Sequence, residues 1–196
     1  MYRKYHTKGF VLESFNYGES NKLFLVLTEK LGLIRVSARS VRELKSKLRY
    51  GLINYSLSYL TVIKSKKGWK ITGATPLSSA YFDLKDFKQR TSFFKILALL
   101  KKLVPEEEPN PLLFNALLES YLCLLNNELG DELCRSLECL TVLRILKNLG
   151  YLDYPANWHY VVEASGFTPL LLSEFAPFRK KAIFRINQSL KESQLM

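Results

Sequence analysis

The sequence predicts an α+β protein: a small five-stranded β-barrel over residues 1–76, followed by an α-helical domain over 77–196. Three observations carry this. Short β-branched and aromatic runs separated by turn residues fill the first 75 positions. After Pro76 the apolar period changes from two to three and four. Helix punctuation at Pro105, Pro111, Gly130 and Gly150 then divides the remainder.

The barrel strands are read in order. HTKGFVLESF and NKLFLVLTE are the first two, with a turn at Tyr17-Gly18 between them. LIRVSAR, after a turn at Leu31-Gly32, alternates strictly, so Ile34, Val36 and Ala38 face one side and Arg35, Ser37 and Arg39 the other. NYSLSYLTVIK and WKITGAT, joined at SKKG, are the fourth and fifth. Between strands three and four, SVRELKSKLRYG has helical composition, with apolar Val41, Leu44 and Leu48 and a stop at Gly51. Five strands with an insertion after the third is the order of an OB-fold, whose exposed face binds oligonucleotides. An SH3-like barrel is the nearest competitor; the place of the insertion and the length of the fourth strand favour the OB-fold.

The helical half begins with LKDFKQRTSFFKILALLKKLV, which stops at Pro105. A second helix follows in PLLFNALLESYLCLLNN, with Asn110 as cap and Pro111 in its first turn. A third runs from an Asp131 N-cap to Gly150 at C′. Tyr151 to about Thr168 is irregular, and PFRKKAIFRINQSLKES forms a last helix. Glu106 to Glu108 sit among prolines and read as a solvated loop.

Charge narrows the function. The formal net charge is +11 over 196 residues, and residues 1–75 hold 15 Lys and Arg against four Asp and Glu. The other 121 residues, with 14 of each sign, are neutral. A field confined to one end concentrates polyanions there: nucleic acid, an anionic membrane surface or an acidic peptide, with a solubilising surface as the bland alternative. The candidate DNA-binding residues are Arg35, Arg39, Arg42, Lys45, Lys47, Arg49, Lys64, Lys66 and Lys67. Such cations bind phosphate by charge and, for Arg, through a bidentate fork. Tyr5, Tyr17, Phe24, Tyr55, Tyr59 and Trp69 are available as stacking platforms, though a small barrel also needs aromatic core residues.

Other chemistries find little support. His6 and His159 are far apart, and there is no Gly-rich phosphate loop, nucleophile elbow or paired-carboxylate motif. The reading is therefore of a non-enzyme without cofactor, with a nuclease or ligase fragment kept as the catalytic alternative. Cys123, Cys134 and Cys139, spaced by 11 and 5 residues in leucine-rich sequence, read as buried thiols rather than zinc ligands or a disulfide framework. No segment has signal-peptide or membrane-span length, so the expectation is a soluble cytoplasmic protein with no membrane partner.

YHTKGFVLES, YGESNKLFLVLTEKLGLIRVSARSVRELKSKL and the change from strands to helices resemble the RecO family of bacterial recombination mediators. The likeness covers the whole chain in architecture and is most specific within residues 5–48. It rests on Thr7, Gly9, Val11 and Leu12 in the opening strand and on the turn at Tyr17, Gly18 and Glu19. Thr28, Glu29 and Gly32, then Ala38, Arg39, Arg42 and Ser46, continue it. The resemblance implies an N-terminal OB-fold before a helical domain. It also implies binding of single- and double-stranded DNA, strand annealing, and partnership with RecR and the acidic C-terminal tail of single-strand-binding protein, without catalytic turnover. The runner-up is an OB-fold adaptor for an acidic partner tail. Two departures stand out. Ser40 replaces a glycine common in the family, and the segment GYLDYPANWHYVVEASGF lacks the cysteines of the family's zinc element, implying a zinc-free, shortened C-terminal domain. Arg135, Arg144 and Lys147 are a possible dock for an acidic tail, equally explained as core and solvated face.

Overall fold

The computed structural model describes residues 3–193. The chain divides into two compact units. The first comprises residues 1–83 with 104–111, the second 84–103 with 112–196.

The first unit is a closed barrel of β1 (Lys4–Tyr17), β2 (Asn21–Thr28), β3 (Gly32–Ala38), β4 (Ser56–Ser65) and β5 (Gly68–Ser79). Neighbours run β1-β2-β3-β5-β4 and back to β1, all antiparallel except β3 with β5. This is the OB-fold order, as expected from the place of the insertion. β1 closes the barrel by pairing through Lys4–Phe10 with β4 and through Gly9–Tyr17 with β2. Register shifts at Val11/Glu13 in β1 and at two places between β4 and β5 supply the bends that closure needs.

Alternation fills the interior. Val11, Phe24, Val26, Ile34, Val36, Leu60, Val62 and Ile71 form one cluster with Trp69. On β3, Ile34, Val36 and Ala38 point inward and Arg35 outward, as the pattern predicts.

The connection after β3 departs from expectation. Instead of a helix over Ser40–Gly51, residues 39–47 form successive turns, and only α1 (Leu48–Gly51) is helical. Ser40 explains this. Its φ of +51° lies in the left-handed region, where a helix cannot begin, and its N–H donates to Asn21 Oδ1 at 2.9 Å. The Arg42 N–H then donates to Ser20 O rather than along a helix, and Val41 turns into the barrel core. Glycine is the residue that adopts such a φ without strain. A single helical turn, α2 (Ala80–Asp83), follows β5.

The second unit is helical: α3 (Phe87–Leu103), α4 (Pro111–Asn126, of which Pro111 belongs to the first unit), α5 (Asp131–Asn148), α6 (His159–Val162), α7 (Pro169–Phe175) and α8 (Arg179–Glu192). Short 3₁₀ turns precede α6 and α8. α6 and α7 lie in or just after the stretch read as irregular. α5 is the hub, packed against α3, α7 and α8, and Phe93 stacks on Tyr121 with ring centres 4.9 Å apart. Its N-cap is Gly130, not Asp131. The aspartate sits in the first turn and pairs with Arg135 at 2.7 Å. At the other end Gly150, φ +75°, closes a Schellman motif: Tyr151 N–H donates to Leu146 O and Gly150 N–H to Lys147 O, each at 2.9 Å.

Candidate nucleic-acid interface

The nine cations singled out in the sequence are all exposed on the first unit, but the barrel sorts them into separate groups. Arg42 and Arg49 line a groove of ≈620 Å³ together with Lys22, Ser14, Asn16 and an apolar floor that includes Val41 and Leu52. Lys22 escaped the sequence reading because it lies in β2, away from the basic run. The pairing of Asn16 with Lys22 across the β1–β2 hairpin brings it to the groove. Arg42 is held at the rim by donating to Glu19 O at 2.8 Å and Gly18 O at 3.4 Å, so its guanidinium is pre-positioned against the β1–β2 turn.

Arg39, Lys45 and Lys47 project from the turns after β3, and Lys66 and Lys67 from the β4–β5 hairpin. None of these five, nor Arg49, has a carboxylate partner among the described residues. They stand as uncompensated positive charge on the surface of the first unit.

Arg35 and Lys64 differ. Arg35 Nε donates to Glu106 Oε1 at 2.6 Å, and Lys64 Nζ pairs with Glu107 while lying 5.0 Å from the centre of the Trp69 ring. Trp69 Nε1–H donates to Glu107 Oε1 at 3.1 Å. The hydrogen bond from Lys64, helped by that from Trp69, holds the Glu107 carboxyl below its ordinary range. Glu106–Glu108 are thus not a free solvated loop. The segment bridges to β3 at Leu33, and Glu107 N–H donates to Leu33 O at 2.8 Å. Gly32, φ +71°, makes room for it: a Cβ there would come within 2.2 Å of Glu108 O.

The aromatic candidates separate by burial. Phe24 and Trp69 are core residues, and Tyr5 packs edge-on against Trp69 with centres 5.4 Å apart. Tyr55 is half-buried and, with φ +66°, shapes the turn into β4. Tyr17 and Tyr59 remain exposed, Tyr59 stacked near His6. Tyr50, beside Arg49 and 67% exposed, is a further solvent-facing ring that was not among the sequence candidates.

In the second unit Arg144 is not available to a partner. It is buried, donates to Val161 O at 2.9 Å and Gly166 O at 3.0 Å, and covers the Phe167 ring at 4.2 Å. Lys147 pairs with Glu163 at 2.7 Å and Arg135 with Asp131. The three cysteines are buried free thiols, and burial pushes Cys123 and Cys134 up to about 11 and Cys139 to about 12. Among the described residues no helix is long and apolar enough to cross a membrane.

Comparison with known proteins bears on this geometry. Residues 1–79 match the family described as Recombination protein O N terminal. A DNA repair protein RecO of Alkaliphilus metalliredigens is 30% identical over 111 residues, covering 57% of this chain and 45% of that protein. One from Dehalococcoides mccartyi (strain CBDB1) is 31% identical over 165 residues, covering 82% and 63%. One from Clostridium acetobutylicum is 28% identical over 156 residues, covering 80% and 61%. The chain thus spans between about half and two thirds of the length of these relatives. With an OB-fold where the family match falls and helices beyond it, residues 1–79 carry the N-terminal domain of the Recombination protein O family, and the chain over most of its length is similar to DNA repair proteins RecO.

Proposed function

We propose that this chain is a recombination mediator in DNA repair that binds single- and double-stranded DNA through its barrel, without catalytic turnover. In this reading it promotes annealing of complementary strands in the cytoplasm and assists recombinase loading with RecR. It also engages the acidic C-terminal tail of single-strand-binding protein. The observation that carries the proposal is the set of exposed cations without carboxylate partners among the described residues, Arg39, Lys45, Lys47 and Arg49 after β3 and Lys66 and Lys67 on the β4–β5 hairpin, together with a groove lined by Lys22, Arg42 and Arg49. Cations spread over turns and hairpins suit a flexible phosphate backbone and make no demand on base sequence.

Strand annealing tests the function directly. Complementary oligonucleotides labelled as a fluorescence-transfer pair should anneal faster with the protein than without, both bare and when coated with single-strand-binding protein. Annealing at the uncatalysed rate in both cases would refute the mediator role.

One observation favours a second reading, an adaptor for acidic peptides. The barrel already holds an acidic segment of its own chain, Glu106 and Glu107 on Arg35 and Lys64. Titrating an acidic peptide against bound DNA separates the two. Tight peptide binding with DNA bound only at very low salt makes the protein an adaptor; the reverse order makes it a DNA-binding protein.

A further inference from the structure

Two of the nine basic positions are set apart by the company they keep. Arg35 and Lys64 come from different strands, yet they meet adjacent carboxylates of one short segment. The side chains remain solvent-reachable: Arg35 is 57% and Glu106 45% exposed, Lys64 52% and Glu107 47%. The main chain beneath is fixed by the Leu33 bridge and by the Glu108 approach to Gly32, and Glu107 holds φ +62°. The backbone therefore stays while the carboxylates are free to swing away. Trp69 adds an indole N–H donor facing the same anion and a ring face under the Lys64 ammonium. A guanidinium, an ammonium and an N–H donor converging on two neighbouring anions is a constellation suited to phosphate.

We propose that Arg35, Lys64 and the Trp69 N–H form a binding position for nucleic-acid phosphates, and that Glu106 and Glu107 occupy it as internal phosphate mimics. The inference rests on the DNA-binding reading above and extends it. Exposed ion pairs are individually weak, so the carboxylates exchange readily. Being tethered, however, they act at high effective concentration and outcompete an isolated phosphate. A strand that also engages the groove and the hairpin lysines is tethered in turn, and can displace them. The position then fills only for a polyanion long enough to reach it from those sites, which sets a length threshold on full binding.

The test is the full-length chain with Glu106→Gln and Glu107→Gln, titrated with a labelled ~30-nucleotide poly-dT strand by fluorescence anisotropy. Glutamine still accepts from Trp69 Nε1 and preserves the segment; an unchanged circular dichroism melt checks the fold. A control with Glu128→Gln and Glu174→Gln changes net charge equally at exposed positions of the second unit. The expected result is about 3- to 10-fold tighter binding at low salt than the control. The salt slope should be steeper by about 1.4, for two added contacts on a single strand. Adding Arg35→Ala and Lys64→Ala to the double variant should abolish the gain. Affinity and slope equal to the control's overturn the proposal. If the wild-type protein shows no salt-dependent binding at all, it is the DNA-binding reading that fails, and the two failures are distinguishable.

Discussion

Replacing Arg144 by leucine should cost the protein stability rather than partner binding. The guanidinium lies in the helical unit with 5% of the residue exposed and donates to two main-chain carbonyls, Val161 O and Gly166 O. Hydrogen bonds from a charged donor contribute about 1.5 to 3 kcal/mol each, so the pair is worth about 3 to 6 kcal/mol. Two features offset this. Arg144 Nε is buried without a partner, and a leucine would recover apolar contact with Phe167. A net loss of about 3 kcal/mol remains, equivalent to a fall in Tm of about 6 to 12 °C for a chain of this size. Arg144→Lys should lose most of that stability too, since a single ammonium on a flexible stem cannot serve both carbonyls as a planar fork does. Denaturant unfolding followed by circular dichroism supplies the measurement, with DNA affinity recorded in parallel and expected to stay within about 2-fold of wild type. A loss below about 1 kcal/mol would show that Arg144 is not the internal tie between α5 and the segments around Val161 and Gly166.

Three further outcomes are expected. Ser40→Gly should stabilise the protein by about 0.5 to 1 kcal/mol, since relief of the left-handed strain exceeds the entropy of glycine; a denaturation midpoint at or below wild type would contradict it. Because Glu107 has a depressed folded-state pKa, its contribution is complete above the unfolded carboxylate value and is lost as pH falls through the lower folded value. The Trp69 indole N–H resonance should accordingly hold steady from neutral pH down to about 5 and shift only below about 4.5; a shift confined to the neutral range would refute the Glu107 contact. With thiol pKa values raised to about 11 and 12, none of the three cysteines should react with a disulfide reagent at about pH 8 until the protein is denatured, and rapid reaction in the native state would show that one is exposed.

The strands were legible because alternation and burial coincide. Each inward residue of β3 was identifiable from Leu33–Arg39 alone, and the glycine turns lay where hairpins need them. The helix expected after β3 was not there, because composition reports propensity while Ser40 is held in a conformation set by Asn21, nineteen residues away. The acidic run at Glu106–Glu108 was unreadable for the same reason: its partners Arg35, Lys64 and Trp69 lie 38 to 71 positions upstream. Local sequence shows three carboxylates among prolines and nothing of the cations they meet. Lys22 entered the site only through hairpin register. Arg144 was ambiguous because a basic residue at helical spacing looks alike whether it faces solvent or a carbonyl pair.

The salt dependence of single-strand binding tests the central claim, that the barrel's basic groove tracks a phosphate backbone. With a poly-dT strand of about 30 nucleotides, wild-type log K should fall linearly with log salt, by about 0.7 per phosphate contacted. Converting Lys22, Arg42 and Arg49 together to glutamine should make that slope shallower by about 2, in line with three lost contacts at the groove. A slope unchanged by the three substitutions would place the nucleic acid elsewhere on the molecule and contradict the account.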